Sequence, residues 1–143
     1  MVCHVSQFID KDPATSPSHD VPAFGFSAGA FHQDAGFNAM NAGSVVVWLA
    51  LDDADESNGC MVAIPASHLY GLAPCALEKK PPPLRPVDSG GHNVVLGSLP
   101  PQLLSAKAVP LCARAGQVIV LSDLLMHSSP RNPNPMRSRP GVL

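Results

Sequence analysis

The sequence contains little charge and no concentration of either sign. Only 14% of its 143 residues are charged, the formal net charge is −2, and the longest basic run is Lys79-Lys80. Proteins that bind nucleic acids or anionic membranes do so through basic patches, so neither is an expected partner.

Long apolar runs, a secretory start and C-x-x-C pairs are also absent. The apolar stretches are too short to span a bilayer. Residues 1–12 lack a basic start and an apolar run, so no secretory signal is recognised, and we expect an intracellular, cytoplasmic protein. Four cysteines stand at positions 3, 60, 75 and 112, a spacing that excludes a zinc knuckle. Cys60 and Cys112 lie in apolar runs and are predicted to be core residues.

Turn-forming residues are abundant. The chain has 16 prolines, which favours short strands and turns over long helices. Residues 44–53 (SVVVWLALDD) give the clearest strand pattern, and residues 60–65 are predicted to be their antiparallel hairpin partner. Further strands are expected within 23–32, 106–113 and 117–127. Together they predict an all-β sandwich or barrel-like jelly roll.

The length corresponds to one domain, with two segments of different character. Residues 1–22 are polar and contain prolines, and we expect them to be a flexible lead-in. Residues 23–143 form the predicted domain, with a loop-rich insertion at about 73–106. A loop of that length often borders a functional site.

Two of the six histidines are candidates for chemistry. His32 and His127 each close a predicted strand, and Asp34 lies two residues after His32. Residues i and i+2 of a strand share a face, so the imidazole and the carboxylate can point at one ion. Two histidines and one carboxylate form the facial triad of non-haem Fe(II) oxygenases. The same spacing of His32 and Asp34 would also occur in an ordinary hydrogen-bonded pair on a loop. Surface or turn positions are expected for the other four, His4, His19, His68 and His92.

A second candidate group follows His127. Ser129 lies two residues further on, and Arg137 and Arg139 follow a short turn. An arginine fork binds a carboxylate through two hydrogen bonds, and a serine hydroxyl can add a third. The alternative for these arginines is a solvated basic tail.

Several motifs occur in order along the chain and carry a family resemblance. They read FHQDAGF, then VVVWLALDDADESNGCMVAIPASHLYGL, then AGQVIVLSDLLMHSSPRN with an arginine beyond. Over roughly residues 30–72 and 113–139 the chain resembles the phytanoyl-CoA dioxygenase family of Fe(II)- and 2-oxoglutarate-dependent oxygenases. One departure lies near the end. The family's arginine commonly falls where Ser138 stands here, so Arg137 and Arg139 both remain candidates.

The resemblance implies a fold and a site. The fold would be a double-stranded β-helix (a cupin-like jelly roll), and we expect it to be incomplete at both ends. Fe(II), 2-oxoglutarate and O₂ would be the cofactor and cosubstrates. The metal ligands would be His32, Asp34 and His127, and the residues that bind 2-oxoglutarate would be Ser129, Arg137 or Arg139, and Trp48. Core packing is the alternative role of Trp48.

The function implied is hydroxylation of an aliphatic C–H bond in a small organic or lipid-like molecule. Two alternatives stay open. One keeps the metal triad without 2-oxoglutarate, and the other is a truncated, inactive jelly-roll binding or structural protein with a vestigial metal site. Few basic residues stand in the 73–106 loop, so a carrier such as coenzyme A is not specially indicated.

Overall fold

The computed structural model describes residues 8–13, 31–36, 43–72, 103 and 106–143. Within these ranges the chain forms short strands joined by turns, and no helix there is long and apolar enough to cross a membrane. The strands are β1 (Phe8–Ile9), β2 (Val45–Ala50), β3 (Met61–Ala63), β4 (Val109–Leu111), β5 (Val118–Ser122), β6 (His127–Ser128) and β7 (Gly141–Val142). Single 3-10 turns occupy Asp34–Gly36, Glu56–Asn58 and Ser67–Tyr70.

These strands form two antiparallel sheets. The larger sheet has the order β1-β7-β2-β5, and the smaller one has the order β4-β3-β6. One core cluster joins the sheets, because Trp48 and Ala50 of β2 pack with Met61 of β3. This arrangement agrees with the predicted all-β sandwich.

Strand β2 shows why the sequence forms a sheet with one buried face. Trp48 and Ala50 point inward and are buried, while Val45 and Val47 point outward and are exposed. β-Branched residues fit the pleated surface, and alternation places every second side chain in the core. The predicted strand 44–53 therefore contains β2, but its last residues leave the sheet.

The predicted hairpin between 44–53 and 60–65 is wrong. β2 pairs with β5 and β7, whereas β3 pairs with β4 and β6 in the other sheet. The connection is a capped 3-10 turn: Asp55 accepts a hydrogen bond from the Ser57 N–H, and Gly59 follows in the left-handed region at φ 75°. This connection carries the chain from one sheet to the other instead of folding it back on itself.

Two further expectations change. Within the predicted lead-in 1–22, Phe8 and Ile9 pair with β7 and so belong to the larger sheet. Cys60 is buried as predicted, but Cys112 is exposed, because it follows the edge strand β4. Most of the expected strand 23–32 and of the loop 73–106 lies outside the described residues, as do His4, His19 and His92. The division at residue 22 stays a prediction.

Candidate metal centre and anion site

The two candidate histidines are joined through their backbones. The His32 N–H donates to the His127 carbonyl at 2.9 Å, and the His127 N–H donates to the His32 carbonyl at 3.0 Å. Directly opposite residues of an antiparallel pair place their side chains on one face. The imidazole centroids accordingly lie 4.4 Å apart. His127 opens β6 rather than closing a strand that runs from residue 117, because a turn at residues 123–125 separates β5 from β6.

Asp34 completes the group from a turn rather than from a strand. It is the first residue of the 3-10 turn Asp34–Gly36, which follows the His32 bridge. One carboxylate oxygen lies 3.6 Å from Nε2 of His32, and the other lies 3.6 Å from Nε2 of His127. The carboxylate therefore lies between the two imidazole nitrogens, although the i, i+2 strand geometry expected from the sequence is absent.

The tautomer of His127 is set by its neighbour. Nδ1 lies 2.9 Å from the carbonyl oxygen of Leu125. A carbonyl can only accept, so Nδ1 carries a proton, and Nε2 is the nitrogen that faces Asp34. Metal-binding histidines commonly have their second nitrogen fixed in this way.

Gln33 fixes the segment that carries His32 and Asp34. Its side chain is 2% exposed, and its amide nitrogen donates to the carbonyls of Gly71 and Leu124 at 2.9 and 2.6 Å. The buried amide thus joins the ligand-bearing segment to the turn that precedes His127. No role of Gln33 was predicted from the sequence, because a position between two ligands indicates nothing about hydrogen-bond partners distant in the chain.

The donor set fits a divalent first-row metal. One ligand atom from each of His32, Asp34 and His127 lies within 4.8 Å of the others. The 3.6 Å separations are too long for hydrogen bonds, and two bonds of about 2.1 Å to a common ion can span them. Two imidazoles and one carboxylate on one side of an ion leave its other side open, which suits iron(II).

Arg139 forms a second site beyond β6. It is 1% exposed, its NH2 nitrogen donates to the Ser129 hydroxyl at 2.8 Å, and its guanidinium lies 5.3 Å from the centre of the Trp48 ring. Nε is buried and has no hydrogen-bond partner. Burial lowers the pKa of Arg139 to about 10. A buried cation with an unused donor fits an anionic ligand, because burial of a charge without a counter-charge is unfavourable.

Arg137 is in a different environment. It is exposed, and its NH1 nitrogen pairs with the Asp55 carboxylate at 3.2 Å while NH2 donates to the Asp53 carbonyl. The hydrogen bond from the Ser57 hydroxyl lowers the pKa of Asp55, and the ion pair with Arg137 lowers it further. Of the two candidate arginines, only Arg139 lies beside Ser129 and Trp48. Trp48 is both a core residue and a neighbour of the guanidinium.

Lys11 and Asn132 support the anion site, and the sequence did not identify either role. Lys11 Nζ donates to the carbonyls of Ser129 and Pro130, and the Lys11 backbone exchanges two hydrogen bonds with Arg139. Asn132, 1% exposed, donates to the carbonyls of Lys11 and Arg137. Burial, followed by the charges of Arg139 and Arg131, lowers the pKa of Lys11 to about 8.

A jelly roll with two histidines and a carboxylate at one position has the architecture of a facial-triad metal protein. The sequence pattern of the phytanoyl-CoA dioxygenase (PhyH) family matches residues 19–141. The chain belongs to this family, which confirms the resemblance drawn from its motifs.

Similar proteins from other organisms carry the name of the same family. The mouse phytanoyl-CoA dioxygenase domain-containing protein 1 is 35% identical over 103 residues, which are 71% of this chain and 33% of that protein. The rice phytanoyl-CoA dioxygenase 1 is 31% identical over 106 residues, 73% of this chain and 34% of that protein. The chain thus spans about a third of the length of these curated relatives.

Solved structures share the fold. The carbocyclase SnoK from nogalamycin biosynthesis, described as a non-haem α-ketoglutarate-dependent enzyme, superposes with a TM-score of 0.62 at 20% identity, over 96% of this chain and 46% of SnoK. The epimerase SnoN, solved with Fe³⁺, α-ketoglutarate and a nogalamycin compound, gives 0.56 at 18% identity, over 96% of this chain and 46% of SnoN. The predicted cupin-like jelly roll is thereby confirmed.

Proposed function

We propose that this chain carries the catalytic site of an Fe(II)- and 2-oxoglutarate-dependent dioxygenase. In this proposal His32, Asp34 and His127 bind iron, and Arg139 with Ser129 binds the distal carboxylate of 2-oxoglutarate. Arg137 is not part of the site, because its guanidinium is exposed and pairs with Asp55. Family membership and the donor chemistry support the choice of iron and of 2-oxoglutarate.

One observation carries the proposal. The three candidate metal ligands and the buried guanidinium of Arg139 approach the same short segment, His127 to Ser129. Among the described residues this guanidinium forms no salt bridge, and the exposed Asp10 acts on it only through its charge. Two residues of extended chain span at most about 7 Å. A short dicarboxylate can reach across that interval, with one end beside His127 and the other beside Arg139. A site that held only a metal would have no need of the buried cation.

The chain's own residues have separable tasks. Arg139 and Ser129 bind and orient the distal carboxylate, and Trp48 shields one face of the guanidinium from water. The Leu125 carbonyl keeps the proton of His127 on Nδ1 and leaves Nε2 free to bind. Iron(II), when held by His32, Asp34 and His127, would supply the redox chemistry that couples oxidative decarboxylation of 2-oxoglutarate to oxidation of a C–H bond.

For the reaction itself we propose hydroxylation of an aliphatic C–H in a small organic or lipid-like substrate. The names of the mouse and rice relatives support a dioxygenase. SnoK and SnoN are named as a carbocyclase and an epimerase, so the jelly roll also supports other outcomes of C–H attack. The expectation of a cytoplasmic protein stays a prediction, since a rat relative is named as peroxisomal.

Anaerobic titration tests the cosubstrate site directly. With Fe(II) bound, 2-oxoglutarate should produce a weak visible charge-transfer band, and its dependence on concentration gives the affinity. Arg139→Met should weaken that affinity at least about 100-fold, because two charge-assisted hydrogen bonds of about 1.5 kcal/mol each are lost. Arg137→Met is the matched control and should change it less than about threefold.

The outcomes separate the proposal from its alternatives. A chain that binds stoichiometric iron without a 2-oxoglutarate band would be a metal protein that uses another cosubstrate. A chain that binds no iron would be the inactive jelly roll. A larger loss from Arg137→Met than from Arg139→Met would show that the arginine has been assigned incorrectly.

A further inference from the structure

Two cysteines face each other across the smaller sheet. β3 and β4 are antiparallel, with Met61 opposite Leu111 and Val62 opposite Pro110. Cys60 precedes Met61 and Cys112 follows Leu111, so the two cysteines are the next opposed pair in the same register. They lie far apart in the sequence, and the strand pairing brings them together.

The hydrogen-bonding pattern makes this a close pair. Pro110 has no N–H, so it and Val62 form a non-hydrogen-bonded pair, and pair types alternate along an antiparallel ladder. Cys60 and Cys112 therefore also form a non-hydrogen-bonded pair. The Cys60 N–H accordingly donates elsewhere, to the Asp55 carbonyl at 2.9 Å. Such pairs have Cα atoms about 4.5 Å apart, a separation that a disulfide can bridge.

The two thiols are neighbours that influence each other electrostatically, but they differ in environment. Cys60 is 1% exposed, whereas Cys112 is exposed and lies on the wall of an open hollow of about 290 Å³ with Arg114 and Gln117. Burial raises the pKa of Cys60 to about 11, and the neighbouring thiol of Cys112 adds to that rise. Oxidants in solution therefore reach Cys112 first, while the neighbouring Cys60 stays protonated.

We propose that Cys60 and Cys112 form a redox modification site that closes reversibly to a cross-strand disulfide. A peroxide oxidises the Cys112 thiol to a sulfenic acid and is reduced to water (or to an alcohol, for an organic peroxide). The Cys60 sulfur then attacks the Cys112 sulfur, the S–S bond forms, and a second water leaves. The two thiols lose two electrons and two protons in total, and a dithiol reductant restores them.

The disulfide would form at the border of the anion site. Cys60 packs in the same core cluster as Trp48, and the charge of Arg139 acts on the Cys60 sulfur. The new bond would also tie β3 to β4 at the edge of the smaller sheet. Closing a long loop restricts the unfolded chain, so oxidation should raise the melting temperature by about 5 °C or more.

The experiment uses the full chain without added iron or 2-oxoglutarate and with a chelator present. Its result is therefore independent of the proposed dioxygenase activity. Cys3 and Cys75, which lie outside the described residues, are replaced by serine in the background. Stoichiometric hydrogen peroxide is added, and thiol titration, intact mass and non-reducing peptide mapping follow the reaction. We expect loss of both thiols, a linked Cys60–Cys112 peptide and full reversal by dithiothreitol.

Cys112→Ser is the matched variant, because its side chain is exposed and the change should leave the fold intact. In this variant Cys60 should remain reduced and the melting temperature should not rise with peroxide. Cys60→Ala should stop at an oxidised Cys112 that dimedone labels. Persistent alkylation of Cys60 in the peroxide-treated parent, or higher oxides of Cys112 with no linked peptide, would overturn the proposal.

Discussion

The candidate metal centre and the candidate anion site adjoin the same segment, His127 to Ser129, but they differ in how much the surrounding side chains contribute to the fold. At the metal centre, backbone hydrogen bonds join His32 directly to His127. At the anion site, the backbones of Lys11 and Arg139 also exchange two hydrogen bonds, and buried side chains add to them: Lys11 Nζ donates to the segment after β6, and Trp48 packs against Arg139. Removal of a metal ligand should therefore impair binding alone, whereas a change at the anion site should impair both binding and folding.

The largest effect is expected at the carboxylate ligand. Asp34→Ala should weaken Fe(II) binding by more than about 100-fold, since even residues that only support a ligand contribute about 10- to 100-fold. Because the backbone pairing of the histidines does not involve this side chain, the melting temperature should stay within about 2 °C of the parent. Metal titration and calorimetry measure both, with the exposed Asp52→Ala as control. A large loss of stability would show that the Asp34 side chain is needed for folding as well as for metal binding.

A side-chain atom added next to Trp48 tests the anion site. A Cβ added at Gly141 would overlap the indole of Trp48, and Trp48 lies beneath Arg139. Gly141→Ala should lower the free energy of unfolding by about 3 kcal/mol and weaken 2-oxoglutarate binding as well. Urea unfolding and the visible titration report the two effects.

Gly116→Ala is the matched control for that change. A Cβ there meets open space, although the backbone has φ +82°, so it should lower stability by only about 1 kcal/mol through strain. Equal effects of the two substitutions would contradict the role given to the contact between Gly141 and Trp48.

The dependence of stability on pH tests the contribution of Lys11, which lies at the anion site. Its pKa of about 8 lies below the value of about 10.4 expected in the unfolded chain. The unfolded state therefore binds more protons between these values, and stability should rise with pH there. From pH 7 to 9.5 the parent should gain up to about 2 kcal/mol relative to Lys11→Met. Urea unfolding at both pH values checks this, with exposed Lys107→Met as control. A constant difference between parent and variant would refute it.

The smallest effect should come from Gln33. Gln33→Leu removes the donor to the Gly71 and Leu124 carbonyls. We expect a loss of about 1 kcal/mol in stability and about tenfold in iron affinity. This side chain lies at the candidate metal centre and also joins two backbone segments, so both iron affinity and stability should fall. An effect on iron alone would mean that the backbone pairing is sufficient.

The sequence predicted strands better than their partners. Alternating apolar residues identify β2. Alternation indicates which face is buried but not which sheet a strand joins. The connection at 54–59 therefore looked like a hairpin, although hydrogen bonds between Ala54 and Ala113 direct the chain into the other sheet.

The site was predictable in part for a similar reason. Residue type and motif order pointed to His32, Asp34 and His127, and the structure brings these three together. Spacing could not choose between Arg137 and Arg139, because their different burial depends on contacts distant in sequence. Cys112 looked like a core residue from its apolar neighbours, yet edge position exposes it.

The position of β7 has a consequence for how the molecule assembles. Gly141 and Val142 insert between β1 and β2, so among the described residues β1 reaches its sheet only through β7. Contacts between segments so distant in sequence form late, because the loop between them must be closed first. During synthesis the larger sheet would stay open, and Arg139 would stay outside its site, until residues 141–142 have left the ribosome. Completion of the anion site therefore depends on the pairing of β7 with β1 and β2.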